Sequence, residues 1–110
     1  MDLRIRWTEE AWIALNSIYA YHAIFSEQGA RRLMKNILSA ANRLSVFPLS
    51  GKIEPCLKYA TRPYRSIVVK KDHKLIYRIE DNDTLIVIHD VWPCKRDFQN
   101  TSSTDRLSPL

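Results

Sequence analysis

After FPLSG (47–51) the apolar residues of this chain change their period. From residue 9 to that point they recur at helical spacing. Beyond it they fall in short runs rich in β-branched and aromatic residues. A chain whose main body turns there from helical to strand period buries a common core by laying its helices on its sheet.

LRIRW (3–7) alternates apolar and basic residues and predicts a first strand over 2–7. Thr8 then precedes Glu9 and Glu10, an N-cap followed by acids that complement the helix dipole. Apolar or aromatic residues at 11, 12, 15, 18, 19 and 25 mark one face of a helix over 9–25. Ser26 caps a second helix over 27–46, whose Ala30, Leu33, Met34, Ile37, Leu38, Ala41 and Leu44 repeat at i, i+3, i+4, i+7. Pro48 ends it and Gly51 releases the backbone. The short connection at residue 26 makes the pair an antiparallel hairpin.

YRSIVVKK (64–71), HKLIYRIE (73–80) and TLIVIHDVW (84–92) predict three strands, with Asp72 and Asn82-Asp83 forming turns between them. The expected fold is α+β: an N-terminal strand and an antiparallel helical hairpin packed on one face of a twisted, mainly antiparallel sheet. Residues 1–98 are expected to form one domain and 99–110 a polar tail. Leu15, Ile18, Leu33, Ile37, Leu38, Leu44, Tyr77 and Val87 are the expected core.

Strict alternation puts Leu75, Tyr77 and Ile79 on one face and Ile76 with Lys74 and Arg78 on the other. It likewise sets Leu85, Val87 and Val91 against Ile86, Ile88 and Trp92. One helical hairpin covers one face, so the second face is either an apolar and basic interface or is curved enough to be partly buried.

The chain of 110 residues suits one domain, and its two cysteines, Cys56 and Cys94, form no CxxC. Charge interrupts MDLRIRWTEE, so it is no secretory signal, and no apolar run approaches a membrane span. A cytoplasmic protein with reduced thiols and no membrane partner is expected. The net charge is +5, and residues 58–78 hold Lys58, Arg62, Arg65, Lys70, Lys71, Lys74 and Arg78 against Asp72 alone. A net +6 in one segment is the footprint of a polyanion or an acidic protein partner.

His89, Asp90 and Cys94 lie close in sequence, but neighbours 89 and 90 are expected to point to opposite faces of a strand, and His22 and His73 match no ligand spacing. No metal is expected there, and no cofactor. Only Gly29 and Gly51 are present, so there is no phosphate loop. The acids sit in helix starts and turns. What remains is cationic: Arg65, Lys74 and Arg78 on strands, with Lys95 and Arg96 at the last strand's exit. Such a cluster can hold phosphates, or stabilise an RNA phosphate attacked by its own 2′-hydroxyl. The second job needs an acid–base partner, and His73 and His89 are the imidazoles in the sheet.

The order of elements, with FPLSG, PYRSI, HKLIYRIED and VWPCKRD in sequence, resembles the RelE/ParE superfamily of toxins from bacterial type II toxin–antitoxin systems over about residues 3–98. The resemblance implies a cognate antitoxin as partner, and Ile76, Ile86, Ile88 and Trp92 are the surface expected to meet it. It leaves two targets. RelE-type members cut messenger RNA on the ribosome, for which Arg65, Lys74, Arg78 and Lys95 would be the catalytic cations. ParE-type members poison DNA gyrase. In either case Lys58, Arg62, Lys70, Lys71 and Arg96 would bind target or phosphate. Lys74 stands where one ribonuclease branch has an arginine, but Pro93 and Cys94 replace that branch's closing histidine–tyrosine pair. Phe98 stands nearest to another branch's terminal tyrosine. Both departures favour the gyrase-directed reading over mRNA cleavage. A non-toxic nucleic-acid-binding module is the third possibility, with Tyr59 and Tyr64 as stacking candidates.

Overall fold

A computed structural model describes residues 2–57 and 62–94. The expected tail, Lys58, Lys95 and Arg96 lie outside the described residues. In chain order the elements are β1 (Arg4–Trp7), α1 (Glu9–Ala23), α2 (Glu27–Arg43), β2 (Lys52–Ile53), a 3₁₀ turn (Pro55–Leu57), β3 (Arg65–Val69), β4 (His73–Glu80) and β5 (Leu85–Pro93). The sheet order is β1-β5-β4-β3-β2. β1 runs parallel to β5, and the other described pairs are antiparallel.

The helix starts follow from side-chain caps. Thr8 accepts a hydrogen bond from the Ala11 amide and Ser26 one from the Gly29 amide, each satisfying a donor that the first turn leaves without a partner. The helices end earlier than expected, at Ala23 and Arg43, and Phe25, Val46 and Phe47 are exposed. Leu38, an expected core residue, is exposed too, while Leu15, Ile37, Leu44, Tyr77 and Val87 are buried and Ile18 and Leu33 pack against the core. β2 was not foreseen. At two residues it is too short to show a period.

The main departure lies in β5. Ile76 pairs with Asp90 but Tyr77 pairs with Ile88, which leaves His89 as an extra residue opposite β4. This β-bulge moves the alternation by one position. Ile86, Ile88 and Val91 therefore join Leu75, Tyr77 and β1's partly buried Ile5 and Trp7 in the core beneath the helices. Val87, Asp90 and Trp92 lie on the opposite face, in register with Arg78, Ile76 and Lys74. The bulge also puts His89 on that face beside Asp90, where an unbroken strand would separate them.

Tyr77 ties the sheet to the loop after α2. Its hydroxyl donates to the Pro48 carbonyl at 2.7 Å and accepts from the Gly51 amide at 3.0 Å. Burial raises its pKa, against the opposing effects of the Gly51 amide and the Arg65 charge. Gly51 is required by this approach, since a Cβ there would stand 2.6 Å from the Tyr77 oxygen and 2.8 Å from the Ser66 carbonyl oxygen.

Candidate functional site

The sheet face away from the helices carries Ser66 and Val68 from β3, Lys74, Ile76, Arg78 and Glu80 from β4, and Val87, His89, Asp90 and Trp92 from β5. Its apolar members are not bare: Ile76, Val87 and Trp92 are buried, and only Val68 among them is strongly exposed. Two polar clusters organise the face.

The first centres on Glu54, which lies just after β2 and is fully buried. One carboxylate oxygen accepts from Ser66 Oγ at 2.7 Å and from Lys74 Nζ at 2.9 Å. The other accepts from the Cys56 amide at 3.1 Å. Burial pushes this carboxyl up, but the hydrogen bonds from Lys74, Ser66 and the Cys56 amide, with the Lys74 charge, outweigh it and hold the group below its ordinary range. The Lys74 ammonium also lies 5.6 Å from the centre of the Trp92 ring, whose Nε1 donates to Asp90 at 3.0 Å.

The second cluster is Tyr64, Arg78, Glu80 and His89. Arg78 donates through Nε and Nη2 to one Glu80 oxygen, at 3.0 and 2.8 Å, and His89 Nε2 lies 3.3 Å from the same oxygen. The Arg78 guanidinium sits 4.7 Å over the Tyr64 ring, and Tyr64 meets His89 edge to face at 5.3 Å. The Arg78 hydrogen bonds, aided by His89 and the charges of both, hold the Glu80 carboxyl below its usual range against burial.

The expected cationic cluster is thus divided. Lys74 and Arg78 share the open face, each with a carboxylate partner. Arg65 pairs with Tyr77 on the helix side and donates to the Gly51 carbonyl at 2.7 Å. Alternation from Ser66 turns it away from Lys74 and Arg78. Arg62 is exposed and lines, with Arg65, Ile79 and Asp81–Asp83, a cleft of about 420 Å³ on that other side. Lys70 and Lys71 are exposed in the β3–β4 turn, both with left-handed backbone. Of the residues expected to meet an antitoxin, Ile86 and Ile88 lie in the helix-side core and are completely buried, a consequence of the bulge. Ile76 and Trp92 stay on the open face, filled in by their neighbours.

Glu54 and Glu80 were missed as site residues. Glu80 could have been found, since residues two apart on a strand share a face and Arg78 precedes it. Glu54 carries a weaker signal: it lies in KIEPC, where nothing in the sequence shows which way the side chain turns. Among the described residues no three His, Cys, Asp or Glu side chains converge as a metal site would need, and no helix is long and apolar enough to cross a membrane.

A family model described as the ParE toxin of the type II toxin–antitoxin system parDE matches residues 5–98. Among solved structures, the chain is similar to one from the chromosomal ParDE system of P. aeruginosa, at 16% identity and a TM-score of 0.70, covering 84% of this chain and 97% of that one. It is also similar to one from the toxin–antitoxin complex RelBE2 of Mycobacterium tuberculosis, at 23% identity and a TM-score of 0.63, covering 84% and 99%. No curated protein sequence matches significantly.

Proposed function

We infer from one premise, that the chain belongs to the ParE toxin family of type II toxin–antitoxin systems, a growth inhibitor that acts on DNA gyrase by binding and does not cut RNA. The observation that carries this reading is the pairing of the two described β4 cations of the open face with carboxylates of their own chain, Lys74 with Glu54 and Arg78 with Glu80. Electrostatic catalysis of phosphoryl transfer needs preorganised donors aimed at the charge that develops. Donors already facing a carboxylate at 2.8–3.0 Å have their charge compensated before substrate arrives.

A cognate antitoxin is the second partner. The net charge of +5 favours an acidic chain, and the structural relatives come from toxin–antitoxin systems. With Ile86 and Ile88 in the core, the apolar surface open to it includes Tyr21, Ile24 and Phe25 at the tip of the hairpin and Val46, Phe47 and Leu49 after α2.

One observation favours ribosome-dependent mRNA cleavage as a second reading: His89 stands beside Glu80 and Arg78, an imidazole, a carboxylate and a guanidinium in contact. For a nucleic-acid-binding module, Tyr64 is poorly suited, because its ring already meets Arg78 and His89. The test is mRNA cleavage on programmed ribosomes beside a gyrase supercoiling assay, with wild type, Lys74→Ala and His89→Ala. Gyrase inhibition without codon-specific cleavage is expected. Cleavage by wild type that either substitution abolishes would establish the second reading.

A further inference from the structure

The Glu54 cluster has the form of an occupied anion site. Its donors come from three separate elements: an ammonium from β4, a hydroxyl from β3 and a backbone amide from the 3₁₀ turn. They converge on two oxygens of one group at 2.7–3.1 Å. The group is fully enclosed, and Lys74 beside it is largely so, with 21% of its side chain exposed. A carboxylate and a phosphate ask the same of such a site: negative charge, and oxygens that accept short hydrogen bonds from N–H and O–H donors. In most anion sites the oxygens come from a ligand. Here they arrive on the chain itself, on the segment between β2 and the 3₁₀ turn.

We propose that Glu54 is a resident anion, which fills from within the chain an oxyanion site formed by Lys74 Nζ, Ser66 Oγ and the Cys56 amide, and so excludes phosphate from the open face. The proposal deepens the reading of a toxin that does not act on RNA, and rests on it for its meaning. Glu54 is then a specificity-determining residue. Its charge compensates Lys74, and its two oxygens take up the three donors that an oxyanion would need. Removing it leaves an enclosed ammonium, a hydroxyl and an amide facing an empty space, the state that most favours capture of an oxyanion from solution. Trp92 is expected to stay in place through its bond to Asp90 and to keep the ammonium located.

The test measures binding of inorganic phosphate, and separately of a short oligouridylate, to wild type, Glu54→Ala, Glu54→Gln and Glu54→Ala/Lys74→Met, by calorimetry and by ligand-dependent shifts in melting temperature. Glu54→Gln keeps the volume and an acceptor for Ser66, so it supplies a folded, uncharged comparison should Glu54→Ala unfold. Glu54→Ala is expected to bind inorganic phosphate about tenfold or more tightly than wild type, with Glu54→Gln showing a smaller gain. The gain should vanish when Lys74 is also replaced. No gain in either single variant overturns the proposal. So does a gain that survives Lys74→Met, or one seen with oligouridylate and not with inorganic phosphate, since both would trace to the general basic surface. The ribosome and gyrase assays on wild type decide the proposed target on their own, so failure of one reading is separable from failure of the other.

Discussion

Replacing Lys74 by Met should invert the pH dependence that Glu54 imposes on stability. In the wild type the Glu54 carboxyl lies below its ordinary 4.5. A carboxyl depressed in the folded state contributes stability that is fully present above its unfolded pKa and is lost as pH falls through the folded one. Lys74→Met removes a hydrogen bond and the only described cation in contact with the group, while the burial that pushes its pKa up remains. The Ser66 and Cys56 donors stay, yet the charged form now sits enclosed without a counter-ion. Breaking a buried pair from one side costs about 3–5 kcal/mol, and the partial exposure of Lys74 favours the lower end, about 3 kcal/mol at pH 7. At pH 4 the carboxyl of the variant can protonate, so the deficit should shrink to about 1 kcal/mol or less. Urea unfolding followed by circular dichroism at pH 4, 5, 6 and 7 measures the difference directly. Adding Glu54→Gln to Lys74→Met should flatten the profile and recover most of the loss. A deficit that is the same at every pH would refute the reasoning, because it would mean that the lysine stabilises through packing alone.

Tyr77→Phe should cost about 1–3 kcal/mol, since it strips the enclosed Gly51 amide and the Pro48 carbonyl of their partner; thermal unfolding should show a fall of several degrees, and an unchanged midpoint would contradict the pairing. Lys71→Gly should stabilise the protein by about 0.5–1 kcal/mol, because the lysine holds φ at 71° and glycine adopts that region freely. Chemical denaturation is the measurement, and a loss of stability would show that the Lys71 side chain contributes more than its backbone costs.

Much of this architecture is legible in the sequence because its signals are local. Thr8 and Ser26 announce the helix starts by chemistry that acts within three residues. The alternation of β4 holds without interruption, so Tyr77 and Leu75 can be placed in the core from sequence alone. What fails is what depends on another strand. No feature of LIVIHDVW marks His89 as the extra residue, since a bulge is a property of the pair and not of either strand. That one insertion exchanges Ile86 and Ile88 for Val87 on the two faces, and leaves Val91 and Trp92 where strict alternation put them. The candidate site fared worse for the same reason. Cations stand out in a basic segment, whereas Glu54 acquires its role only when the chain folds it against β3 and β4.

The pairing of β1 with β5 has a consequence for how the toxin is made. Among the described strands β1 lies at the sheet edge with β5 as its one neighbour, and Thr8, at the junction with α1, reaches the His89 carbonyl across 81 residues of sequence. A ribosome releases the N-terminal strand and the helical hairpin first, with nothing to receive their apolar faces. The partner strand emerges only after the hairpin and β2, β3 and β4, and it brings with it Ile86, Ile88 and Val91 for the core and Asp90 and Trp92 for the open face. A nascent or prematurely terminated chain therefore lacks both the core and the complete face. Until β5 has paired with β1 and β4, the sheet on which the toxin fold depends is incomplete.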